Sequence, residues 1–297
     1  MRSSTMKTAA IATAGIAIVV IATLLYTPSA TVLAGASSGP DVEALRAGRS
    51  FMETRVYAEK EDERILALFE GLRVADVSDG MDKVGLAGIG LMDPEIHAAW
   101  KDTEHYTHRF IGIAVTARYV PTNKPAAGRM ETAAFDRWVG DWYGRLSSEP
   151  FTPLIRKGTA LVLDDADSRD VGSIGSNNIM GWKLRGCVGV VTDATARDTD
   201  EVATQKVPLY FRRPGRGIRP GRNEIESVNR PIECGGVLVE PGDVVVADGD
   251  GVIVVPRAKA QEVAEYARAT IKGDKAGRRR LYEQLGLKPD DSIRGDD

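Results

Sequence analysis

Histidine and cysteine are scarce in this chain, and that scarcity narrows its chemistry. Three histidines among 297 residues do not readily assemble a histidine-built zinc centre, so a metal bound here must lean on carboxylates. Two cysteines exclude a disulfide framework. Cys187 and Cys234 sit in the apolar runs GCVGVV and IECGGVLV, where two buried thiols are expected rather than a pair. An excess of charge of one sign is also missing: 39 basic and 42 acidic residues leave a formal charge of -3, and nothing in that balance favours a nucleic-acid partner. There is no internal repeat, and no glycine-rich strand-to-helix nucleotide site with an acidic ribose partner can be identified. What is present, 43% apolar and 27% charged residues, suits one ordinary domain with appendages and excludes disorder throughout.

A long uncharged apolar run occurs at the start. Residues 8–25, TAAIATAGIAIVVIATLL, follow Arg2 and Lys7 and precede small residues at Ala34 and Ala36, the layout of a secretory signal. The run is also near the minimum for a spanning helix, so a retained hydrophobic anchor helix competes with cleavage. Either form leaves the N-terminus inside and the folded domain outside the cytoplasmic membrane. A start codon nearer Met52 would instead make the protein cytoplasmic. Residues 1–36 are thus expected to be a signal or membrane anchor, residues 37–60 a linker, and residues 61–290 the folded domain.

Within that domain, Asp62 to Leu86 carries apolar residues at helical spacing and reads as two short helices, with Asp76 or Ser78 available as a cap. GIAVTARYV (112–120) reads as a strand, and the tryptophan-rich stretch before Pro150 as a helix of variable sequence. TALVLDDA, IMGWKLRG, CVGVVTDA, ARDTDEVATQ and VPLYF then alternate strand and helix, which argues an α/β fold. Residues 230–256 read as β-hairpins around PGD and DGDG turns, and a charged amphipathic C-terminal helix runs from Ala258 to about Leu285.

The chemistry concentrates between Val171 and Val202. A glycine-rich turn containing Gly172, Gly175, Ser176, Asn177 and Asn178 precedes a helix, and the next strand leads to the pair Arg197 and Asp198. Unpaired N–H groups at a helix start bind carboxylate or carbonyl oxygens. Arg197 can grip a carboxylate, and Asp198 offers a hard oxygen ligand for Mg or Mn. Taken singly, such a turn is ordinarily a loop, and an adjacent Arg–Asp pair is ordinarily a surface ion pair. Other candidates carry less. Lys183 reads as solvent-facing. His105 and His108 would share a helical face but read as packing or surface groups. Asp248-Gly-Asp250-Gly reads as a tight turn. The basic run RRPGRGIRPGR (212–222) suits a phosphate, a nucleic acid, or an anion drawn toward a substrate entrance.

This segment resembles the family containing the RraA proteins and the 4-hydroxy-4-methyl-2-oxoglutarate aldolases. In the aldolase branch an acidic residue precedes Arg-Asp by twenty intervening residues, and here twenty residues separate Ser176 from Arg197. VADVSDGMDKVGL, GIAVTARYV and IESVNRPIECGGVLVEPGDVVVADGDGVIVVP extend the resemblance over most of residues 65–256. It implies a swivelling β/β/α domain assembled as homotrimers or hexamers with sites between subunits. It also implies a metal-dependent lyase cleaving a 4-hydroxy-2-oxo acid to pyruvate and a carbonyl compound, or decarboxylating oxaloacetate. The alternative is a non-catalytic regulatory binding protein of the RraA type. By the resemblance, the backbone of Gly175, Ser176, Asn177 and Asn178 cradles the pyruvate moiety, Arg197 binds its carboxylate or stabilises the leaving carbonyl, and Asp198 coordinates Mg or Mn. Ser176 departs from the pattern, standing where the aldolases carry an acid. Asp167, Asp170 and Asp193 are the nearby carboxylates available to replace it.

Overall fold

Strands form where the chain is apolar and β-branched. The computed structural model describes residues 56–165 and 170–294. In it the expected strands become β2 (Phe110–Pro121), β3 (Thr159–Asp164), β4 (Cys187–Thr192) and β6 (Leu209–Phe211). The closing section supplies two antiparallel hairpins, β9 (Ile232–Cys234) with β10 (Val237–Val239) and β11 (Val244–Asp248) with β12 (Gly251–Val255). Four further strands lack an apolar signature: β1 (His97–Ala98), β5 (Thr195–Ala196), β7 (Arg213–Pro214) and β8 (Asn223–Val228). The apolar run 8–25 and Asp167 lie outside the described residues. Among the described residues no helix is long and apolar enough to cross a membrane.

The helices are α1 (Glu59–Phe69), α2 (Val74–Lys83), α3 (Thr132–Arg145), α4 (Ser176–Leu184), α5 (Thr199–Gln205) and α6 (Ala260–Leu285). Asp76 is not the residue before α2 but its third, and it caps from there: Arg73 N donates to Asp76 Oδ2 at 2.9 Å. His105 and His108 share no helix. They lie in a turn, where buried His108 accepts from Asp102 N at 3.1 Å and exposed His105 faces Asp291. Cys187 and Cys234 are free and buried, and burial pushes the Cys187 thiol up to about 11.

The main sheet runs β1-β6-β4-β3-β2-β11-β12, with β8 also pairing β2. Its centre is parallel (β6, β4, β3, β2) and its flanks antiparallel. Just before β1, Met92 N donates to Val252 O and Gly90 O accepts from Val254 N, so the two ends of the sheet are drawn together and it is nearly closed. Alternation along the strands divides the core accordingly. Ala114, Val162, Val191, Val245 and Val254 point inward, onto a cluster completed by Ile232, Cys234, Val237 and Val239 of the β9–β10 hairpin. Their neighbours Val115, Leu161 and Val190 point outward to Ile179 and Trp182 of α4. Ile113, Val244 and Ile253 point outward to α1, α2 and α6. The turn before α4 follows the end of β3, and Arg197–Asp198 follows the end of β4, its parallel neighbour.

Candidate active site

Two segments distant in sequence meet at the N-terminus of α4. Ile174 bridges Ala196, and Arg197 N donates to Ile174 O at 2.8 Å, so the turn ending in Gly175 lies beside the Arg197–Asp198 pair. Glycine lets the side chains approach closely at both ends of that contact. A Cβ at Gly172 would stand 2.8 Å from Arg197 Cβ, and one at Gly175 would stand 2.9 Å from Asp198 Oδ2. Asp198 itself has φ +57°, a left-handed conformation that aspartate tolerates better than most residues but that usually marks a constrained position.

Asp198 caps α4 from outside the helix. Its Oδ2 accepts from Ser176 N at 3.0 Å and from Ser176 Oγ at 3.3 Å, a favourable place for negative charge. Its Oδ1 lies 3.8 Å from Arg197 Nε, and both side chains remain more than a third exposed. Asn178 folds back so that its Oδ1 accepts from Gly175 N at 3.3 Å. The N–H groups of Asn177 and Asn178 complete the first turn, where a helix offers its donors no backbone acceptor. All six residues singled out from the sequence, Gly175, Ser176, Asn177, Asn178, Arg197 and Asp198, therefore converge.

Part of the lining carries no signal in the sequence. A cavity of about 500 Å³ is lined by Gly172, Asn177 and Arg197 together with Tyr143, Glu149 and Arg219. Glu149 follows α3 and is held by three donors: Asn178 Nδ2 at 2.6 Å, Arg219 Nη2 at 2.5 Å and Trp182 Nε1 at 3.0 Å. Arg219 is 5% exposed, donates to Tyr119 Oη at 2.7 Å, and lies over the rings of Tyr119 and Tyr143. Burial opposes its charge, yet Tyr119 and Glu149 hold its pKa above the ordinary value. Below the cavity, fully buried Asn223 donates to Asp165 and to Ser173 Oγ, accepts from Ser147 Oγ, and through its carbonyl anchors Trp142 of α3. This network fixes the variable stretch to the site.

Of the carboxylates named as replacements for an acid at residue 176, the two described ones, Asp170 and Asp193, are engaged elsewhere. Exposed Asp170 pairs with Arg216, and buried Asp193 accepts from Asp165 N. Lys183 reaches Gln205 O at 3.5 Å and lies outside the cavity lining. Asp248 and Asp250 form the β11–β12 turn, with Asp250 N donating to Asp248 Oδ1. The arginine run is largely neutralised: Arg212 pairs with Asp93 and Glu95, Arg216 with Asp170, Arg219 with Glu149, and Arg222 donates to the carbonyls of Ile218 and Pro220.

Among the described residues no three His, Cys, Asp or Glu side chains converge as a metal-ligand set. The donor available is Asp198 Oδ1, the oxygen not occupied by Ser176. A single carboxylate, with waters and substrate oxygens completing the shell, is an ordinary way to hold Mg, so the residues fit such an ion.

A nearly closed α/β sheet thus sets a glycine-lined helix start against an Arg–Asp pair. The chain belongs to the RraA-like family, whose profile, described as Aldolase/RraA, matches residues 74–254. A Halalkalibacterium halodurans protein provisionally named 4-hydroxy-4-methyl-2-oxoglutarate aldolase is 30% identical over 127 residues, 42% of this chain and 60% of that one. A Thermus thermophilus protein named 4-hydroxy-4-methyl-2-oxoglutarate aldolase is 29% identical over 102 residues, 33% of this chain and 60% of that one. The matches thus span no more than 60% of the length of these curated relatives. Among solved structures, an uncharacterized Pseudomonas syringae protein superposes with TM-score 0.58 at 25% identity, covering 76% of this chain and 94% of that one. Streptomyces coelicolor RraAS2, at TM-score 0.57 and 24% identity over 73% of this chain and 96% of that one, shares the fold.

Proposed function

We propose that this protein is a carbon–carbon lyase that cleaves a 4-hydroxy-2-oxo acid to pyruvate and a second carbonyl compound, or decarboxylates oxaloacetate. The observation that carries the reading is the placing of Arg197 and Asp198 against the first turn of α4, with glycines at the two positions where a side chain would block their approach. The aldolase names of the relatives agree with it.

In this reading the guanidinium of Arg197 binds the carboxylate of the substrate, and the N–H groups of Asn177 and Asn178 receive the other oxygens of the pyruvate end. The C3–C4 bond then breaks. In the aldol case the C4 hydroxyl gives its proton to solvent water and becomes the second carbonyl product, and in oxaloacetate the C4 carboxylate leaves as CO2; either way the electron pair passes to C3 and is held as an enolate until C3 takes a proton from water. Positive charge from Arg197 and the helix N-terminus stabilises that enolate. Divalent Mg or Mn, held by Asp198, supplies Lewis-acid polarisation of the 2-oxo group when bound. Assembly as homotrimers or hexamers and an export or anchor segment at residues 8–25 complete the proposal.

The test is pyruvate release by the full chain from 4-hydroxy-4-methyl-2-oxoglutarate and from oxaloacetate, after EDTA and again after adding Mg or Mn. Release is expected to return with the metal and to fall by on the order of 10²-fold or more in Asp198→Ala, with the fold checked by circular dichroism. Equal release from the parent and a folded Asp198→Ala variant would overturn the assignment. No release from either substrate, with a stoichiometric protein partner captured instead, would favour the regulatory role.

A further inference from the structure

The cavity lining carries accessible charge of both signs. Arg197 is its accessible cation, with a side chain 38% exposed. Its accessible anion is Glu149, with a side chain 22% exposed, whereas Arg219, bonded to it, is 5% exposed. Arg219 is covered by the rings of Tyr119 and Tyr143, its Nη atoms are bonded to Tyr119 and Glu149, and its Nε is buried without a partner. A group held at Arg197 in this cavity therefore finds Glu149 more accessible than the second cation, Arg219. Glu149 accepts three hydrogen bonds, and a carboxylate has about four acceptor sites, so capacity for one more donor remains. The Asn178 and Trp182 bonds come from α4 itself, so the acceptor keeps a fixed distance from the turn that receives the acid end.

We infer that the substrate is a 2-oxo monocarboxylate whose tail is hydroxylated and uncharged, with Glu149 accepting a hydrogen bond from a tail hydroxyl and selecting against a second carboxylate. The inference rests on the lyase reading for the placement of the acid end at Arg197. It departs from the dicarboxylic substrate in the names of the relatives. The discrimination has two parts: a donor-bearing tail satisfies the free acceptor site of Glu149, and a carboxylate in the same place is repelled by it and left unpaired.

The experiment compares the full chain, with Mg present, on the mixed C4 epimers of 2-dehydro-3-deoxyhexonate and on 4-hydroxy-4-methyl-2-oxoglutarate. In parallel, calorimetry measures binding of two unreactive acids, D-gluconate with a hydroxylated tail and citramalate with a second carboxylate. Expected are a kcat/KM at least about tenfold higher for the hydroxylated substrate and tighter binding of gluconate than of citramalate. Glu149→Gln keeps the size and one acceptor but removes the charge, and should reduce both preferences about tenfold. A preference for 4-hydroxy-4-methyl-2-oxoglutarate, or for citramalate, overturns the inference and leaves the lyase reading standing. Absence of turnover with the gluconate preference intact and lost in Glu149→Gln overturns the lyase reading and leaves the recognition of the tail standing. Because the parent alone gives the substrate ratio, a poorly folded variant does not remove the test.

Discussion

At the scale of single residues, the site depends on a close approach that a side chain at Gly175 would push apart. Gly175 stands where an alanine Cβ would meet Asp198 Oδ2 at 2.9 Å and Arg197 Nε at 3.4 Å. Both contacts are side-chain atoms, so Gly175→Ala can be accommodated by moving Asp198 and Arg197 outward and leaving the core alone. The expected result is a loss of about 10²-fold in kcat/KM with the melting temperature nearly unchanged, because displacements of about 1 Å in a reacting constellation cost that much. Steady-state kinetics beside a thermal melt checks it; a normal kcat/KM would show that the contact is not needed. The same local character made this half of the site legible from sequence. Arg197 and Asp198 are adjacent, and Gly175 to Asn178 form one turn, so the chemistry of each group survives in a short reading frame. Glu149 was not legible. Its role arises from donors at residues 178, 182 and 219, which the chain brings together only in the folded sheet. Arg219 was visible as charge in a basic run, but its neutralisation by Glu149 was not.

At the scale of elements, legibility followed burial on one or two faces. β3, β11 and β12 are buried along their whole length, β4 at all but half-buried Val188, and all four read as apolar runs. β8, NEIESV, is half-buried beside β2 and carries charge at alternate positions, so no apolar signal marked it. Helix contacts are equally specific. α2 and α6 cross at Gly80, where a Cβ would lie 2.6 Å from Val263 O, 3.2 Å from Val263 Cγ1 and 3.3 Å from Ala267 N. Two of these atoms are backbone, so α6 must shift as a body. Alanine gains up to about 1 kcal/mol of intrinsic helix preference over glycine. Overpacking of a tight contact costs roughly 1–3 kcal/mol, and here the rigid neighbours place it at the upper end. Gly80→Ala is therefore expected to destabilise, lowering the melting temperature by about 2–4 °C for each kcal/mol lost. A melting temperature at or above the parent's would mean that the two helices are free to separate.

At the scale of the whole molecule, stability should depend on pH through two opposed sets of carboxylates. Asp93, Asp170, Glu224 and Asp290 are held below their ordinary range, first by hydrogen bonds from Arg212, Arg216, Lys124 and Ser292 respectively. Groups of this kind stabilise above their unfolded pKa, and that contribution is lost as pH falls through the lower folded value. Asp243 is opposite in sign. It is 5% exposed, and burial pushes it up to about 6 although Glu240 N and Arg257 N both donate to it. The folded state therefore holds a proton on Asp243 that the unfolded chain has already released, between the ordinary aspartate value and about 6. Stability attributable to this residue falls as pH rises across that interval, by on the order of 2–3 kcal/mol in total, and is flat above it. Asp243→Asn cannot titrate. It also turns one amide hydrogen toward a backbone donor, a cost that does not vary with pH. The difference in unfolding free energy, parent minus variant, measured by urea denaturation from pH 4.5 to pH 7.5, should consequently decrease with rising pH and level off near neutrality. The offset between the curves carries no weight in this comparison, since the lost hydrogen bond alone can set it. Their convergence does, and parallel curves would show that Asp243 is ionised throughout and that its two backbone donors outweigh its burial.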